Sequence, residues 1–194
     1  MTVSASSTPH TDTSRYDIPA FVTEIEQFIA TGANQPAIAA EVERCLKMLL
    51  LTPDLLTPEQ RVSLPDRYCP NLVTVAPSGA FSVVALVWRP GQQTPIHDHI
   101  CWCVVGVLEG VERETRFHLR GNEAGERWLS PADEEVMPPG ITGVLLPPEE
   151  NIHQVGNIGE DIAISLHIYG TDISRLGSSV RRIYDLPVVA GISG

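Results

Sequence analysis

Two histidines and two cysteines stand close together in the stretch TPIHDHICWC, residues 94–103. Imidazole nitrogens and thiolate sulfurs are the side-chain ligands that zinc and several other transition metals prefer. If the stretch is a β-strand, His97 and His99 face one side and Asp98 faces the other, because successive side chains alternate. Cys101 and Cys103 share the histidine side only if the strand continues without a turn. The spacing therefore predicts a metal site that contains His97 and His99.

His153, in the segment NIHQVGN, is the third candidate ligand. Three histidines suit either a redox-active iron or a catalytic zinc, whereas two histidines with Cys103 would favour zinc through the softness of sulfur. A zinc centre would indicate a hydrolase, and a metal-binding protein without enzymatic activity is a further alternative. The ligand types alone leave these alternatives open.

Ser165, His167 and Tyr169 alternate along the segment SLHIY and so share one face of a predicted strand. Alternation alone indicates nothing more than a polar strand face. A Ser–His nucleophilic pair is disfavoured, because neighbours on one face are poorly placed for the required contact and no acidic residue nearby would orient the histidine. A hydrogen-bonded chain that ends at the Tyr169 hydroxyl is the alternative with a chemical role.

The elements that must position these residues fall into two blocks. Residues 16–65 are predicted to be a helical segment, because their apolar side chains recur at helical spacing. From residue 66, short runs rich in Val and Ile are separated by Pro and Gly, which is typical of an antiparallel barrel or sandwich. We predict a mostly β fold in one domain, residues 16–194, with the helical segment packed on a β-barrel and C-terminal tail over 66–194. Residues 1–15, rich in Ser and Thr, are predicted to be a disordered leader.

Composition narrows the function classes. The chain has 194 residues, 43% of them hydrophobic, which suffices for one domain with a core. Its net charge of −11 would repel nucleic acid and anionic membranes, so neither is an expected partner, and no obligate protein partner is evident. No apolar run approaches the ~20 residues of a membrane span. Four cysteines without a disulfide framework favour a reducing cytoplasm.

The spacing around the histidines resembles the two sequence motifs of the cupin barrels. The first motif matches two glycines, two histidines and a position that is normally Glu: Gly91, His97, His99, Cys103 and Gly110. The second matches in part, with Glu150 where a glycine is usual: Pro148, Glu150, His153 and Asn157. This resemblance implies a cupin, that is, a double-stranded β-helix or jelly-roll barrel.

Three longer segments, RYCPNLV, FSVVALVWRPGQQTPIHDH and SLHIYG, make the chain similar to the cysteine dioxygenase family from about Tyr68 to Tyr169. The resemblance implies an Fe(II)-dependent thiol dioxygenase, which adds both atoms of O2 to a small thiol and gives a sulfinic acid. It implies one Fe(II) per chain, held by three histidines, and a relay beside it made of Ser165, His167 and Tyr169. The three implied iron ligands are His97, His99 and His153.

Two further features follow from this resemblance. In mammalian-type members, the residue that matches Cys103 forms a thioether to the tyrosine that matches Tyr169, and both residues are present here. In cysteine-specific members, an arginine two residues after the position of Tyr68 binds the substrate carboxylate, and this chain has Pro70 there.

A carboxylate in a partly buried site needs a charged partner. The candidates are Arg181 and Arg182, in the segment GSSVRRIYD, which the pattern leaves open between a strand and an ordered loop. They resemble an arginine of 3-mercaptopropionate dioxygenases, and together with Tyr68 they form the predicted substrate-binding set. We therefore expect 3-mercaptopropionate to be at least as good a substrate as L-cysteine.

Overall fold

The computed structural model describes residues 16–148 and 151–190. The predicted leader, residues 1–15, lies outside the described residues, as do Glu149, Glu150 and residues 191–194. Three α-helices are found in the described part: α1 (Ile18–Ala30), α2 (Gln35–Leu49) and the short α3 (Ile173–Leu176), with a 3-10 turn at Pro58–Arg61.

Ten strands form two five-stranded antiparallel sheets, which confirms the prediction of a mostly β, cupin-type fold with N-terminal helices. The strands are β1 (Cys69–Val75), β2 (Ser82–Trp88), β3 (His97–His99), β4 (Cys103–Glu109), β5 (Glu112–Gly121), β6 (Arg127–Met137), β7 (Thr142–Leu145), β8 (His153–Asn157), β9 (Ala163–Tyr169) and β10 (Val180–Ile183). The first sheet has the order β1-β2-β9-β4-β7, and the second has the order β10-β3-β8-β5-β6.

The two N-terminal helices cover the outer face of the first sheet. Helix α1 starts where the Asp17 carboxylate accepts a hydrogen bond from the Ala20 backbone N–H at 2.9 Å, and Asn34 caps α2 in the same way. Phe21 and Leu46 from the two helices join one cluster with residues of β2, β4 and β9. In the described residues, none of the helices is both long and apolar enough to cross a membrane.

Strands β2 and β9 are buried along their whole length. Their outward side chains meet the helices, and their inward side chains meet the second sheet in the barrel interior. This double burial explains why FSVVALVW reads as a continuous apolar run, whereas a strand with one wet face would alternate.

The sequence pattern missed strand β6 and left β10 undecided. Strand β6 is mostly exposed at the edge of the second sheet, and it contains Pro131 at a register shift opposite Phe117. A polar edge strand carries little of the apolar periodicity by which strands are predicted. Strand β10 pairs with β3 through a register shift between Val180 and Arg182.

The two glycines of the first motif lie in turns that differ in how closely the rest of the chain approaches them. Gly91 and Gly110 both have φ +75°, a left-handed conformation that other residues adopt only under strain. A Cβ added at Gly91 would meet nothing within 4 Å, whereas one at Gly110 would lie 2.6 Å from the Ala163 Cα. Gly110 thus lets the β4–β5 turn approach the start of β9.

The two glycines form a matched pair for a stability test. We expect Gly91→Ala to lower the free energy of unfolding by about 1–2 kcal/mol, the cost of the left-handed backbone alone. Gly110→Ala adds a backbone clash and should cost about 3–5 kcal/mol. Urea denaturation of both variants measures the difference, and equal losses would show that Gly110 is not a close-approach position.

Candidate active site

Three histidines on the paired strands β3 and β8 converge on one point inside the barrel. His97 on β3 is directly paired with His153 on β8, and His99 follows on the same side of β3. All three are at least 95% buried, and their potential ligand nitrogens lie within 4.8 Å of one another. The structure therefore brings together the three predicted metal ligands.

Each of the three imidazoles is oriented through its Nδ1 atom. His97 Nδ1 lies 2.9 Å from the Pro95 carbonyl oxygen, His99 Nδ1 lies 3.2 Å from the Asn151 Oδ1, and His153 Nδ1 lies 2.7 Å from Glu114 Oε1. All three partners are acceptors, so each Nδ1 carries the proton and donates it. The Nε2 atoms are therefore the unprotonated nitrogens, which are the ones that bind a metal.

The Nε2 atoms fit a metal ion in two respects. His97 Nε2 and His99 Nε2 are 3.2 Å apart, close to the roughly 3.0 Å expected for two nitrogens that bind one metal at right angles. His153 Nε2 is buried and has no hydrogen-bond partner among the described residues, a costly state for a polar atom that a metal would relieve. The donor set therefore suits a metal ion.

Burial keeps the free imidazoles uncharged. Burial, together with the smaller effect of the neighbouring His153, lowers the pKa of His97 to about 4 and that of His99 to about 2. Neutral imidazole is the form that ligates metals, so no proton has to leave these two ring nitrogens at neutral pH.

Cys103 is not part of the metal-ligand cluster. Strand β3 ends at His99, the chain crosses to the first sheet, and Cys103 begins β4 there. Its Sγ lies 3.9 Å from His167 Nδ1, and burial raises the pKa of the thiol well above its usual value. A protonated thiol is a poor ligand. The arrangement therefore does not support a zinc site of two histidines and a cysteine.

Ser165, His167 and Tyr169 form a continuous hydrogen-bonded chain on β9. Contrary to the expectation that neighbours on one strand face are poorly placed for contact, Ser165 Oγ is 3.0 Å from His167 Nε2. The Tyr169 hydroxyl is 3.3 Å from His167 Nδ1. Trp88 Nε1 donates to Ser165 Oγ at 3.2 Å, so the serine hydrogen is directed to His167. The Tyr169 and His99 rings are 5.9 Å apart, which places the end of the chain beside the three histidines.

The sequence interpretation missed two carboxylates on β5. Glu114 binds His153 at 2.7 Å and Arg116 at 3.2 Å, and hydrogen bonds from these partners lower its pKa against the effect of burial. Glu112 is fully buried, neither of its carboxylate oxygens has a hydrogen-bond partner among the described residues, and burial raises its pKa to about 7. The sequence feature that could have revealed these carboxylates is the pair of glutamates two residues apart in VERETRFHL, because alternate residues of a strand share a face.

A pocket of about 110 Å³ opens at the three histidines. Its lining includes the relay residues His167 and Tyr169, and Tyr68, which stacks on Trp88 with ring centroids 4.6 Å apart. The structure thus brings predicted metal, relay and substrate residues to one cavity, with the exception of the two arginines.

Arg181 and Arg182 point to Asp98 and do not line the pocket. Their Nη2 atoms lie 2.6 and 2.7 Å from Asp98 Oδ2, and the Tyr184 hydroxyl donates to the same oxygen at 2.9 Å. The register shift in β10 lets two consecutive arginines reach one carboxylate on the face of β3 opposite the histidines. Burial alone would raise the pKa of Asp98, but these hydrogen bonds lower it to about 2. The predicted contact of either arginine with a substrate is therefore not supported.

Three histidines turned into the interior of a two-sheet barrel define the class of protein, a cupin that can hold a metal ion. The model of the family described as cysteine dioxygenase type I matches residues 62–178, more than half of the chain. The chain therefore belongs to the cysteine dioxygenase type I family, which implies an enzyme of dioxygenase type. The matched range contains the three histidines and the relay but ends before Arg181.

Several solved structures are distantly similar in fold. A conserved double-stranded β-helix protein from Klebsiella pneumoniae is 16% identical over 62% of this chain and 86% of its own, with a TM-score of 0.46. The protein TT1209 from Thermus thermophilus is 21% identical over 57% and 89%, with a TM-score of 0.41. An oxalate oxidase in complex with glycolate is 16% identical over 61% and 60%, with a TM-score of 0.44. Nothing about the chemistry of this chain follows from these likenesses.

The metal-binding role of the histidines is testable by titration. We expect His97→Ala, His99→Ala and His153→Ala each to abolish stoichiometric binding of Fe(II) or Co(II), because two remaining ligands do not hold the ion. Glu114→Gln should weaken binding about 10–100-fold, the usual effect of losing the partner of a ligand histidine. Anaerobic metal titration measures this, with His118→Ala on the exposed face of β5 as the control. Full binding by the His153→Ala protein would contradict the site.

Proposed function

We propose that the protein is an Fe(II)-dependent thiol dioxygenase that converts a small thiol, RSH, and O2 into the sulfinic acid RSO2H. The observation that carries this proposal is the three-histidine site and the Ser165–His167–Tyr169 chain in one pocket, in a member of the cysteine dioxygenase type I family. Both oxygen atoms enter the product, so the reaction needs no external reductant.

The charge of the ligand set favours a thiolate substrate. Three neutral imidazoles leave both charges of Fe(II) uncompensated, unlike a site of two histidines and one carboxylate. Fe(II) held by His97, His99 and His153 would bind the thiolate and supply electrons for the reduction of O2. Glu114 balances part of the local charge from behind His153, and the pocket beside the histidines has room for a small thiol.

The relay leaves the Tyr169 proton free for the reaction. The indole N–H of Trp88 donates to Ser165 Oγ, so the serine hydroxyl donates to His167 Nε2. The proton of the neutral imidazole is then on Nδ1, which faces the Tyr169 oxygen. Burial lowers the pKa of His167 to about 3 and raises that of Tyr169 well above its usual value, so both stay neutral. The Tyr169 O–H can therefore donate into the pocket.

The function is tested by metal analysis and product measurement. Protein purified without O2 should contain iron at close to one per chain and consume one O2 per sulfinate formed. Tyr169→Phe should lower kcat by about 10²-fold, the scale of a lost proton donor, with unchanged iron content, and Ser165→Ala should act in the same direction. His118→Ala is the matched control. Stoichiometric zinc without thiol-dependent O2 uptake would support a hydrolase, and metal without any turnover would support a non-enzymatic cupin.

We also propose a thioether between Cys103 and Tyr169. The two residues are direct partners across β4 and β9, and both side chains contact His167 Nδ1. Bond formation between Sγ and the tyrosine ring removes two hydrogens, which O2 accepts. Mass spectrometry after turnover should show a linked peptide pair lighter by these two hydrogens, absent in Cys103→Ser and retained in Cys101→Ser. A Cys103 peptide that alkylates fully after turnover would contradict the link.

The resemblance implies 3-mercaptopropionate and L-cysteine as the first substrates to examine. We propose that the thiol and O2 are the partners of the protein and that it works in the cytoplasm. All four cysteines are free in the described structure, and a reducing compartment, where thiols persist, is consistent with that.

A further inference from the structure

Glu112 is a buried carboxyl group that the proposed reaction does not use. The residue is fully buried, and neither carboxylate oxygen has a hydrogen-bond partner among the described residues. A buried carboxylate without a partner is costly, and burial raises the pKa of Glu112 to about 7. Near neutral pH the group is therefore divided between its neutral and its ionised form. An orphaned polar group of this kind inside a barrel requires an explanation.

The carboxyl group lies at the end of the relay that is remote from the pocket. Glu112 is on β5, two residues from Glu114, and both buried side chains point into the barrel. Ser165 on β9 and Trp88 on β2, both in the other sheet, are near enough to Glu112 to favour its charged form, against the larger effect of burial. Tyr169, at the other end of the relay, lines the pocket.

The Ser165 hydroxyl can accept one more hydrogen bond. A hydroxyl group has one hydrogen and can accept two hydrogen bonds. Its oxygen accepts from Trp88 Nε1 at 3.2 Å, and its hydrogen is directed to His167 Nε2 at 3.0 Å. One acceptor position on the oxygen therefore remains. Because both Glu112 oxygens are free of other partners in the described structure, the carboxyl group can turn to Ser165 without breaking a hydrogen bond.

Neutral and ionised Glu112 act on Ser165 in opposite ways. The neutral acid donates its O–H to the remaining acceptor position of Ser165, and the serine hydrogen stays directed to His167 Nε2. The carboxylate only accepts, and it attracts the serine hydrogen to itself because a hydrogen bond to a charged oxygen is the stronger one. The protonation of Glu112 thus determines which way the Ser165 hydroxyl points.

The direction of the Ser165 hydroxyl determines which nitrogen of His167 carries the proton. When the serine donates to Nε2, the imidazole proton is on Nδ1 and Tyr169 keeps its own hydrogen for the pocket. When the serine donates to the carboxylate, Nε2 carries the imidazole proton and donates to Ser165 Oγ, and Nδ1 accepts the hydrogen of Tyr169. The second arrangement contains one proton fewer, which Glu112 has lost to solvent. The serine, the histidine and the tyrosine stay neutral in both arrangements.

The groups around Glu112 do not change charge near neutral pH. Glu114, on the same face of β5, stays ionised, because hydrogen bonds from its partners lower its pKa against the effect of burial. His167 stays neutral, because burial lowers its pKa to about 3. Strand β4 contributes valines to this part of the interior. The side chains beside Glu112 on the remaining strands are uncharged: Trp88 on β2, Met137 on β6, Asn157 on β8 and Ser165 on β9.

We infer that Glu112 is a positioning residue for the relay, and that only its protonated form leaves the Tyr169 hydrogen free for the pocket. This inference rests on the proposed function for the part that Tyr169 plays in turnover, whereas the direction of the hydrogen bonds is a property of the chain itself. Turnover should therefore slow as the pH rises and Glu112 loses its proton, because the ionised form turns the relay toward the carboxylate.

The first test is the pH dependence of kcat at saturating 3-mercaptopropionate or L-cysteine. In the iron-loaded full-length protein, we expect kcat to fall about tenfold or more between about pH 6 and about pH 8.5. In Glu112→Gln, kcat should change less than about twofold over this range, because the amide N–H donates to Ser165 and does not titrate. Glu135→Gln, exposed on β6, is the matched control and should keep the fall. An equal fall in Glu112→Gln, or no fall in the wild type, would overturn the inference.

The second test observes the relay directly and needs no turnover. Nitrogen NMR of the His167 ring shows which ring atom carries the proton in the full-length protein loaded with diamagnetic Zn(II) in place of iron, with His167→Gln to assign the signals. We expect the proton on Nδ1 at about pH 6 and on Nε2 at about pH 8.5 in the wild type, and on Nδ1 at both values in Glu112→Gln.

The wild-type NMR measurement decides the inference even if Glu112→Gln does not fold. The same protonated nitrogen at both pH values in the wild type would overturn it. A change of the protonated nitrogen without oxidation of either thiol would show that the proposed function fails while the role of Glu112 in the relay stands.

Discussion

The cross-strand pair of His97 and His153 is the contact on which the rest of the site depends. It joins β3, only three residues long, to β8, and it sets the position of His99 two residues later. Strand β8 pairs in turn with β5, which supplies Glu114 to the His153 ring. Because side chains alternate, one register fixes both the inward ligands and the outward Asp98. A slip by one residue would exchange the metal ligands for a carboxylate.

On the face opposite the histidines, ion pairs of Asp98 hold strand β3 in place. Asp98 is buried between the two ligand histidines and binds two arginines and a tyrosine of the C-terminal segment. This contact secures β10 against β3, which supports the site from outside the barrel. The same contact removes both arginines from the pocket. Structural support for the metal ligands and the position of both arginines outside the pocket are thus two consequences of one carboxylate.

The short-range part of the site was predictable from sequence, because spacing two on a strand determines which side chains share a face. That rule found the histidines of β3 and the polar residues of β9, and family resemblance supplied their joint role. The longer-range parts depend on pairing that no local pattern reveals. Glu112 and Glu114 became buried only through the neighbours of β5, Cys103 lies on the other sheet from His99, and a register shift turned Arg181 and Arg182 to Asp98. The edge strand β6 was missed for a different reason, because it is mostly exposed and carries little apolar periodicity.

The most direct test of the central claim is X-ray absorption at the iron edge of the anaerobic, Fe(II)-loaded protein, before and after a short thiol is added. We expect the metal to have only nitrogen and oxygen neighbours at first, with the scattering pattern of three imidazoles, because Cys103 lies outside the ligand set. One sulfur neighbour should appear when the thiol is added. Sulfur at the metal before thiol addition, or no sulfur afterwards, would contradict a three-histidine site that binds its substrate through a thiolate.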